Sequence, residues 1–232
     1  MRQNKIDLRQ LLTEAVVNEL KRHYEGLEVA LQGDGVNLSG SSDEAVAKAR
    51  LDLKFYFMNP NLPLENLCSR LDNYNPTTDS QKELLDYAQR LLSLDRTATA
   101  GLFMWGDPGV GKTHMTVALT KEFLSREQDA YFLSSETCNL PVHLGPRQVW
   151  ICDDLNSPYS LYMDRFKEIV LNAHNKGGRV FVTSNASYDS LMERAFSLRP
   201  DEKTRYIDRT KQMFKVLHIT GSSRREQTAW YK

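Results

Sequence analysis

The feature that most constrains the fold of this 232-residue chain is one run that matches the phosphate-binding pattern G-x-x-x-x-G-K-[ST]. Its glycines let the backbone turn tightly, so that successive N–H groups can point at one phosphate group. The pattern requires a buried strand before the loop and a helix after it, and the runs 101–105 and 112–126 predict both. The sequence therefore predicts a nucleotide-binding loop. Its residues are Gly106, Asp107, Pro108, Gly109, Val110, Gly111, Lys112 and Thr113.

Two carboxylates after an apolar run predict the metal-binding part of the same site. The run 149–152 is followed by Asp153 and Asp154, and open parallel sheets bind ligands at the carboxyl ends of their strands. We expect Lys112 to reach the β- and γ-phosphates of ATP, and Thr113 to hold Mg²⁺ together with Asp153. Asp154 would then orient or deprotonate the attacking water.

A third polar strand end completes the predicted site. The apolar run 180–182 is followed by Thr183, Ser184 and Asn185. In the expected topology this strand lies between the strand before the loop and the strand before the two aspartates. Asn185 would therefore bond the attacking water or the γ-phosphate.

Short apolar strands alternate with helices from residue 64 onward, which predicts an α/β fold with a parallel sheet covered by helices on both faces. With the loop, the region 64–232 is predicted to be a P-loop NTPase core. Residues 1–60 differ, because a helix, two alternating strands and a helix that opens with a capping box at Ser41 and Glu44 predict a small α-β-β-α unit. The five predicted core strands are 101–105, 130–133, 149–152, 180–182 and 216–219, and helices are predicted over 112–126 and 161–175.

The composition excludes several classes of protein. Thirty Lys and Arg against thirty Asp and Glu give a formal net charge of +0, which argues against nucleic-acid binding through bulk charge. No apolar run approaches the ~20 residues of a membrane span. Cys68, Cys138 and Cys152 lie far apart and lack zinc-site spacing. We therefore expect a cytoplasmic protein with reduced thiols.

The three motifs together resemble those of AAA+ ATPases, specifically the DnaC/DnaI helicase-loader and IstB transposition-helper group, with DnaA as a related protein. The segment 71–76, which contains Asn75, resembles the loader segment that borders the adenine, and His114 directly after the loop is typical of the group. The residues 183–185 match its sensor 1 motif. The resemblance extends over residues 68–225 and implies an AAA+ core without a full helical lid.

Two arginines gain expected roles from the same resemblance. Arg209, in the pair Asp208-Arg209, matches the box VII arginine, which implies that it reaches the ATP of a neighbouring subunit in a homo-oligomer. Arg224 ends a run, 221–224, that resembles the closing motif of the family, and this implies the sensor 2 role. The resemblance also implies a replicative helicase or a transposase as partner.

The sequence departs from the family pattern in two places. Asp154 stands where most AAA+ proteins have Glu, so we expect slow hydrolysis. The segment 134–148 is short, whereas initiators and loaders carry here a helical insert that contacts single-stranded DNA. We therefore expect binding of single-stranded DNA to be weak and strongly dependent on salt.

Two other functions stay open on the sequence alone. One is a nucleotide-binding adaptor that hydrolyses little and works through its bound state. The other is a P-loop small-molecule kinase, against which the short segment 134–148 and the paired aspartates argue. In residues 1–60 the amphipathic helix 5–25 is the expected docking surface for a partner, with core packing of its apolar stripe as the alternative.

Overall fold

The computed structural model describes residues 11–32, 35–95, 97–139, 143–157, 160–196 and 200–224. The chain divides into two compact units, Met1–Ser69 and Arg70–Lys232. Within the described ranges, no helix is both long enough and apolar enough to cross a bilayer.

Among its described residues, the first unit contains two complete helices, a hairpin and a short 3₁₀ turn. The hairpin is antiparallel and pairs Glu28 with Ser39 and Gln32 with Gly35. The predicted order of helix, strand, strand and helix is therefore confirmed over the described residues. The elements are α1 (Glu14–His23), β1 (Glu28–Gln32), β2 (Gly35–Ser39), α2 (Asp43–Met58) and the 3₁₀ turn Leu64–Asn66.

Two details of this unit differ from the sequence prediction. Helix α1 begins at Glu14, because the Thr13 hydroxyl accepts a bond from the Val16 N–H; residues 5–10 of the predicted helix lie outside the described residues. The predicted capping residue Ser41 is wrong by one position. Its hydroxyl donates to the Glu25 carbonyl at 2.8 Å, while Ser42 caps α2.

The apolar stripe of α1 belongs to the core of this unit. Val16 and Leu20 are fully buried. Core packing, which was the alternative to docking for this stripe, therefore accounts for its buried residues.

The described part of the second unit contains a five-stranded parallel sheet and its helices. The elements are α3 (Asp79–Ser93), β3 (Ala100–Trp105), α4 (Lys112–Ser125), β4 (Ala130–Leu133), β5 (Val149–Cys152), α5 (Leu161–Lys176), β6 (Arg179–Ser184), α6 (Tyr188–Ala195), α7 (Pro200–Met213) and β7 (Phe214–His218). The strand order is β4-β5-β6-β3-β7. All five predicted strands are present, and β6 lies between β3 and β5, the other two strands that carry site residues.

Helices cover both faces of the sheet, as the buried strands predicted. On one face Phe123 of α4 stacks on Phe181 of β6, with 5.9 Å between ring centroids. On the other face Phe103 of β3 meets Tyr188 of α6 edge-on, in a cluster that also includes α5 and α7 residues. The α/β fold class is confirmed. Helices α6 and α7 were not predicted, and the described parts of 134–148 contain no helix or strand.

Strand β3 is held closely by both of its neighbours at Gly101. A Cβ atom there would lie 2.6 Å from the Phe214 ring and 3.0 Å from the Val180 carbonyl oxygen. Gly101→Ala should therefore lower the free energy of unfolding by about 1–3 kcal/mol, the usual range for overpacking. Urea denaturation of the full chain measures this loss.

Two controls test whether the loss comes from the clash. Gly35→Ala adds the same methyl group where the nearest atom is 3.6 Å away, so its effect should stay within about 0.5 kcal/mol. In a Phe214→Leu background, Gly101→Ala should cost less than it does alone. Equal losses for Gly101→Ala and Gly35→Ala would contradict the packing argument.

Candidate nucleotide site

The loop between β3 and α4 turns through three glycines with positive φ. The φ angles are +146° at Gly106, +83° at Gly109 and +97° at Gly111. Residues that carry a Cβ atom rarely adopt these backbone conformations. The glycine spacing of the sequence motif thus corresponds to the turns that the backbone makes here.

Helix α4 begins without the hydroxyl cap that other helices of this protein use. Its N-cap residue is Gly111, which makes no side-chain bond to the first turn. The backbone N–H groups of that turn point out of the helix toward its positive end, which is the arrangement that binds anions. The hydroxyl caps of α1, α2, α3, α5 and α6 are Thr13, Ser42, Thr78, Ser160 and Ser187.

Lys112 connects this loop to the end of β6. Its side chain is only 5% exposed. The ammonium Nζ donates to the carbonyl oxygens of Gly106 and Asp107 at 2.7 and 2.8 Å, and to Asn185 Oδ1 at 3.2 Å. Two of the predicted catalytic residues, Lys112 and Asn185, are therefore in contact.

Asp153 is the acceptor for two threonine hydroxyls. Thr113 Oγ1 donates to Asp153 Oδ1 at 2.9 Å, and Thr183 Oγ1 donates to the same oxygen at 2.7 Å. The predicted metal pair, Thr113 and Asp153, is thus in direct contact. Thr183 also accepts a bond from the Asp154 backbone N–H at 2.9 Å, so one hydroxyl fixes both aspartates.

Ionisation of the Asp153 carboxyl group costs free energy in this position. Burial raises the pKa of its carboxyl group to about 6, although the hydrogen bond from Thr183 lowers it. Asp154 raises the pKa further, while the bond from Thr113 and the charge of Lys112 lower it. A cation beside the carboxylate would therefore stabilise the ionised form.

Asp154 and Asn185 present polar groups on neighbouring strand ends. The Asp154 side chain is exposed, and its backbone has a φ of +53°. Asn156 holds the Asn185 backbone, because its Oδ1 accepts bonds from the Asn185 N–H at 2.7 Å and from Ser184 Oγ at 3.1 Å. The bond from the Asp154 N–H to Thr183 and the bond from the Asn185 N–H to Asn156 thus hold both residues at the end of the sheet that carries the loop.

A second set of residues contacts the loop at Gly109. The Arg224 backbone N–H donates to the Gly109 carbonyl at 3.0 Å. The Arg224 guanidinium donates to the Asn75 carbonyl at 2.5 Å and to Gln81 Oε1 at 3.3 Å, and it lies over the Tyr74 ring. Two predicted cofactor-binding residues, Asn75 and Arg224, therefore bond directly to each other.

His114 belongs to this second set. Its Nε2 atom lies 3.0 Å from the Arg70 carbonyl oxygen, to which it donates, and its ring lies 5.4 Å from that of Tyr74. Burial raises the pKa of Tyr74 to about 12, so this phenol is neutral at physiological pH.

Of the remaining predicted residues, Val110 is buried and its carbonyl accepts a bond from Gln81 Nε2 at 3.1 Å, whereas the others lie at the surface. Asp107 and Pro108 are exposed in the loop. Arg209 is exposed on α7. It takes no part in the hydrogen bonds that join the other predicted site residues.

Sequence reasoning missed Asn156 and the role of Thr183. The parallel pairing of Cys152 with Val182 places the next residues, Asp153 and Thr183, side by side, so the role of Thr183 follows from the predicted strand order. Asn156 lies in a loop, and no pattern in the sequence marks it.

The oxygen atoms of Thr113 and Asp153 fit a magnesium ion that is shared with phosphate. Mg²⁺ prefers oxygen ligands and is usually held by one or two protein groups plus phosphates and water. Among the described residues, no group of three or more His, Cys, Asp or Glu could hold a metal by itself. Any metal here would therefore depend on a bound phosphate.

Asp153→Asn should stabilise the metal-free protein above pH 6. The folded state raises the pKa of this carboxyl group from 3.8 to about 6, so ionisation costs folding free energy as the pH rises through that window. Asparagine keeps an acceptor for both threonines without the charge. The free energy of unfolding should rise by up to about 3 kcal/mol at pH 7.5 and change little at pH 4.

Urea unfolding in EDTA at both pH values measures this difference. Asp154→Asn removes the same charge from the exposed neighbouring side chain, and its gain at pH 7.5 should be smaller, because burial raises the pKa of Asp153 more than Asp154 does. A gain for Asp153→Asn that is equal at pH 4 and pH 7.5 would contradict the assignment of the cost to the buried charge.

Comparisons with known proteins address the fold. No protein-family model matches the sequence, and no curated protein matches it. A crystal structure of DnaI is similar over 70% of this chain and 94% of its own, with 21% identity and a TM-score of 0.59. The DnaC helicase loader is similar over 67% and 99% of the two chains, with 20% identity and a TM-score of 0.52.

AMPPCP-bound DnaA from Aquifex aeolicus is similar over 72% of this chain and 53% of its own, with 16% identity and a TM-score of 0.50. At these identities the likeness concerns the fold. The chain therefore has the α/β fold that is found in DnaI, DnaC and DnaA.

Proposed function

We propose that residues 70–232 bind ATP with Mg²⁺ and hydrolyse it slowly, so that the protein works as a nucleotide-dependent switch. The observation that carries this proposal is the convergence of Lys112, the uncapped N-terminus of α4 and the Thr113–Asp153 pair at one end of the sheet. A triphosphate with its magnesium needs these three features together.

Phosphate binding is proposed to rest on Lys112 and the first turn of α4. Phosphate oxygens are charged acceptors and would bond the buried ammonium more strongly than the neutral carbonyls of Gly106 and Asp107 do. Thr113 and Asp153 would hold the magnesium ion, which neutralises charge on the β- and γ-phosphates when it is bound. The contact between ammonium and Asn185 Oδ1 supports the placement of Asn185 beside the γ-phosphate.

Hydrolysis is proposed to involve Asp154 and Asn185. Their side chains would orient a water molecule whose oxygen attacks the γ-phosphorus, while the bond from that phosphorus to the β-γ bridging oxygen breaks and ADP leaves. Asp154 would accept the proton of the water. Because Asp is one methylene shorter than the Glu of most AAA+ proteins, we propose slow turnover.

The second set of residues is proposed to border the base. Asn75, Tyr74, His114 and Arg224 are joined by contacts beside the loop. Since the Arg224 guanidinium bonds the Asn75 carbonyl and Gln81, its contact with a γ-phosphate would require it to leave these partners. We therefore propose a role for Arg224 in holding the loop, through Gly109, beside the base site.

The partners are proposed from the fold and the motifs. DnaC, which shares this fold, is a helicase loader. We propose that the chain acts in the cytoplasm in DNA replication or transposition, as a homo-oligomer that acts on a replicative helicase or a transposase. Contact with single-stranded DNA is proposed to be weak. An adaptor with little hydrolysis would use the same site, so turnover separates the two functions.

Lys112→Ala should weaken ATP binding by on the order of tenfold to hundredfold and abolish turnover, because a charge-assisted hydrogen bond contributes about 1.5–3 kcal/mol. Titration of a fluorescent ATP analogue with Mg²⁺ measures the affinity. Lys82→Ala, which removes an exposed lysine paired with Asp79, controls for the loss of one positive charge. Unchanged ATP affinity in Lys112→Ala would refute the assignment of phosphate binding to this loop.

Arg209→Ala should leave ATP affinity near normal and lower turnover only in the assembled protein. An arginine supplied by a neighbouring subunit can raise turnover by 10³–10⁵, so the wild-type rate per subunit should rise with protein concentration. In Arg209→Ala this rise should disappear, while Lys211→Ala on the same helix should keep it. A wild-type rate that does not depend on concentration would remove the basis for a shared site.

A further inference from the structure

An apolar groove of about 420 Å³ lies in the first unit between β2 and α2. Both elements supply apolar side chains to its walls, and two cationic residues of α2 line it as well. The residues that line it are Val36, Leu38, Arg50, Leu53, Lys54, Phe57 and Met58.

The α2 residues of the groove form one continuous stripe. They occupy positions 50, 53, 54, 57 and 58, which follow the i, i+3, i+4, i+7, i+8 spacing of a single helix face. At 1.5 Å per residue the stripe is about 12 Å long. A helix of a binding partner spans about the same distance between anchors at i and i+7.

The hairpin extends this apolar surface beyond the groove. Its register pairs Val29 with Leu38 and Leu31 with Val36, and residues that lie opposite each other in a sheet share one face. Leu31 is 43% exposed on that face, and Met58 on α2 is 36% exposed. Large apolar side chains on a small unit thus remain accessible beside the groove.

The charge beside the groove is positive and unbalanced. Arg50 and Lys54 lie one helical turn apart with exposed side chains, and within the described part of the chain neither has an ion-pair partner. By contrast, Lys48 on the same helix pairs with Glu44 at 2.9 Å. The nearby carboxylate of Asp52 is fully buried and accepts a bond from the Tyr24 hydroxyl at 2.6 Å.

We propose that this groove binds an amphipathic helix of a partner protein that carries leucine-like residues on one face and Asp or Glu beside them. The apolar walls would bury the leucine-like anchors, and Arg50 and Lys54 would pair with the acidic residues. The proposal concerns the first unit, whereas the residues assigned to the nucleotide site belong to the second unit, so it does not rest on nucleotide binding.

Three helical peptides with a neutral fluorescent dye test this proposal against the full chain. The first has leucine at positions i, i+4 and i+7 with flanking glutamates. The second has lysine in place of each glutamate, and the third has the composition of the first with its leucines spread around the helix. Fluorescence anisotropy should show the acidic amphipathic peptide binding at least tenfold more tightly than either of the others, and more weakly at higher salt.

Charge reversal makes the test specific. The double variant Arg50→Glu, Lys54→Glu should bind the lysine peptide in preference to the glutamate peptide, a reversal that misfolding cannot produce. Phe57→Asp should bind neither peptide. Lys112→Ala should bind the acidic peptide like the wild type, so that failure of the nucleotide proposal and failure of this one give different results.

Several outcomes would overturn the proposal. These are no binding of the acidic peptide, equal binding of the acidic and lysine peptides, and an unchanged preference in the charge-reversal variant. Analytical ultracentrifugation tests one more outcome. If the chain forms a dimer and Met58→Asp dissociates it, a second copy of the chain occupies the groove, and the proposal of a partner helix is wrong.

Discussion

The parallel pairing of β5, β6 and β3 is the constraint on which the candidate site depends. Cys152 lies beside Val182 on one side of β6, and Trp105 lies beside Ser184 on its other side. These pairings bring the carboxyl ends of three strands to one edge of the sheet. A shift of one residue between β5 and β6 would turn Asp153 to the other face of the sheet and separate it from Thr183. The apolar packing of helices on both faces therefore fixes polar geometry that the polar residues alone could not maintain.

The chain keeps opposite charges buried near each other at that edge. Lys112 and Asp153 are 5% and 7% exposed, and each is held by uncharged partners: carbonyls and an amide for the ammonium, two hydroxyls for the carboxylate. Burial of a charge costs free energy unless it is paired or bonded, and the raised pKa of Asp153 records part of that cost. An arrangement of this kind is typical of a site whose geometry is selected for binding, because an apolar replacement would be more favourable for folding.

Much of the second unit could be predicted from its sequence, because its strands are short apolar runs and its loop has a spacing that few other structures require. The place of β6 between β3 and β5 and the closeness of Thr113 to Asp153 were both predicted in this way, whereas the direct contact between Lys112 and Asn185 was not. The parts that could not be predicted depend on tertiary contacts. The capping-box pattern favours Ser41, which has Glu44 three residues on, but the bond of Ser41 to Glu25 leaves Ser42 to cap α2. Helix α7 buries Tyr206, Thr210 and Met213 among many charged residues, so its apolar stripe is too weak to recognise. The bonds of Arg224 link residues that are far apart along the chain.

The first unit poses a different physical problem, since a unit of this size buries only a limited part of its apolar surface. Leu31 and Met58 stay exposed beside the groove, and an exposed apolar patch on a soluble unit favours self-association. Arg50 and Lys54 oppose that outcome. In a two-fold symmetric contact through this face, the same patch meets itself, so the cations of one copy would approach those of the other. Like charges brought together in this way disfavour the dimer. The same two cations attract a helix with carboxylates beside its apolar face, so they select between two occupants that the apolar walls alone would accept equally.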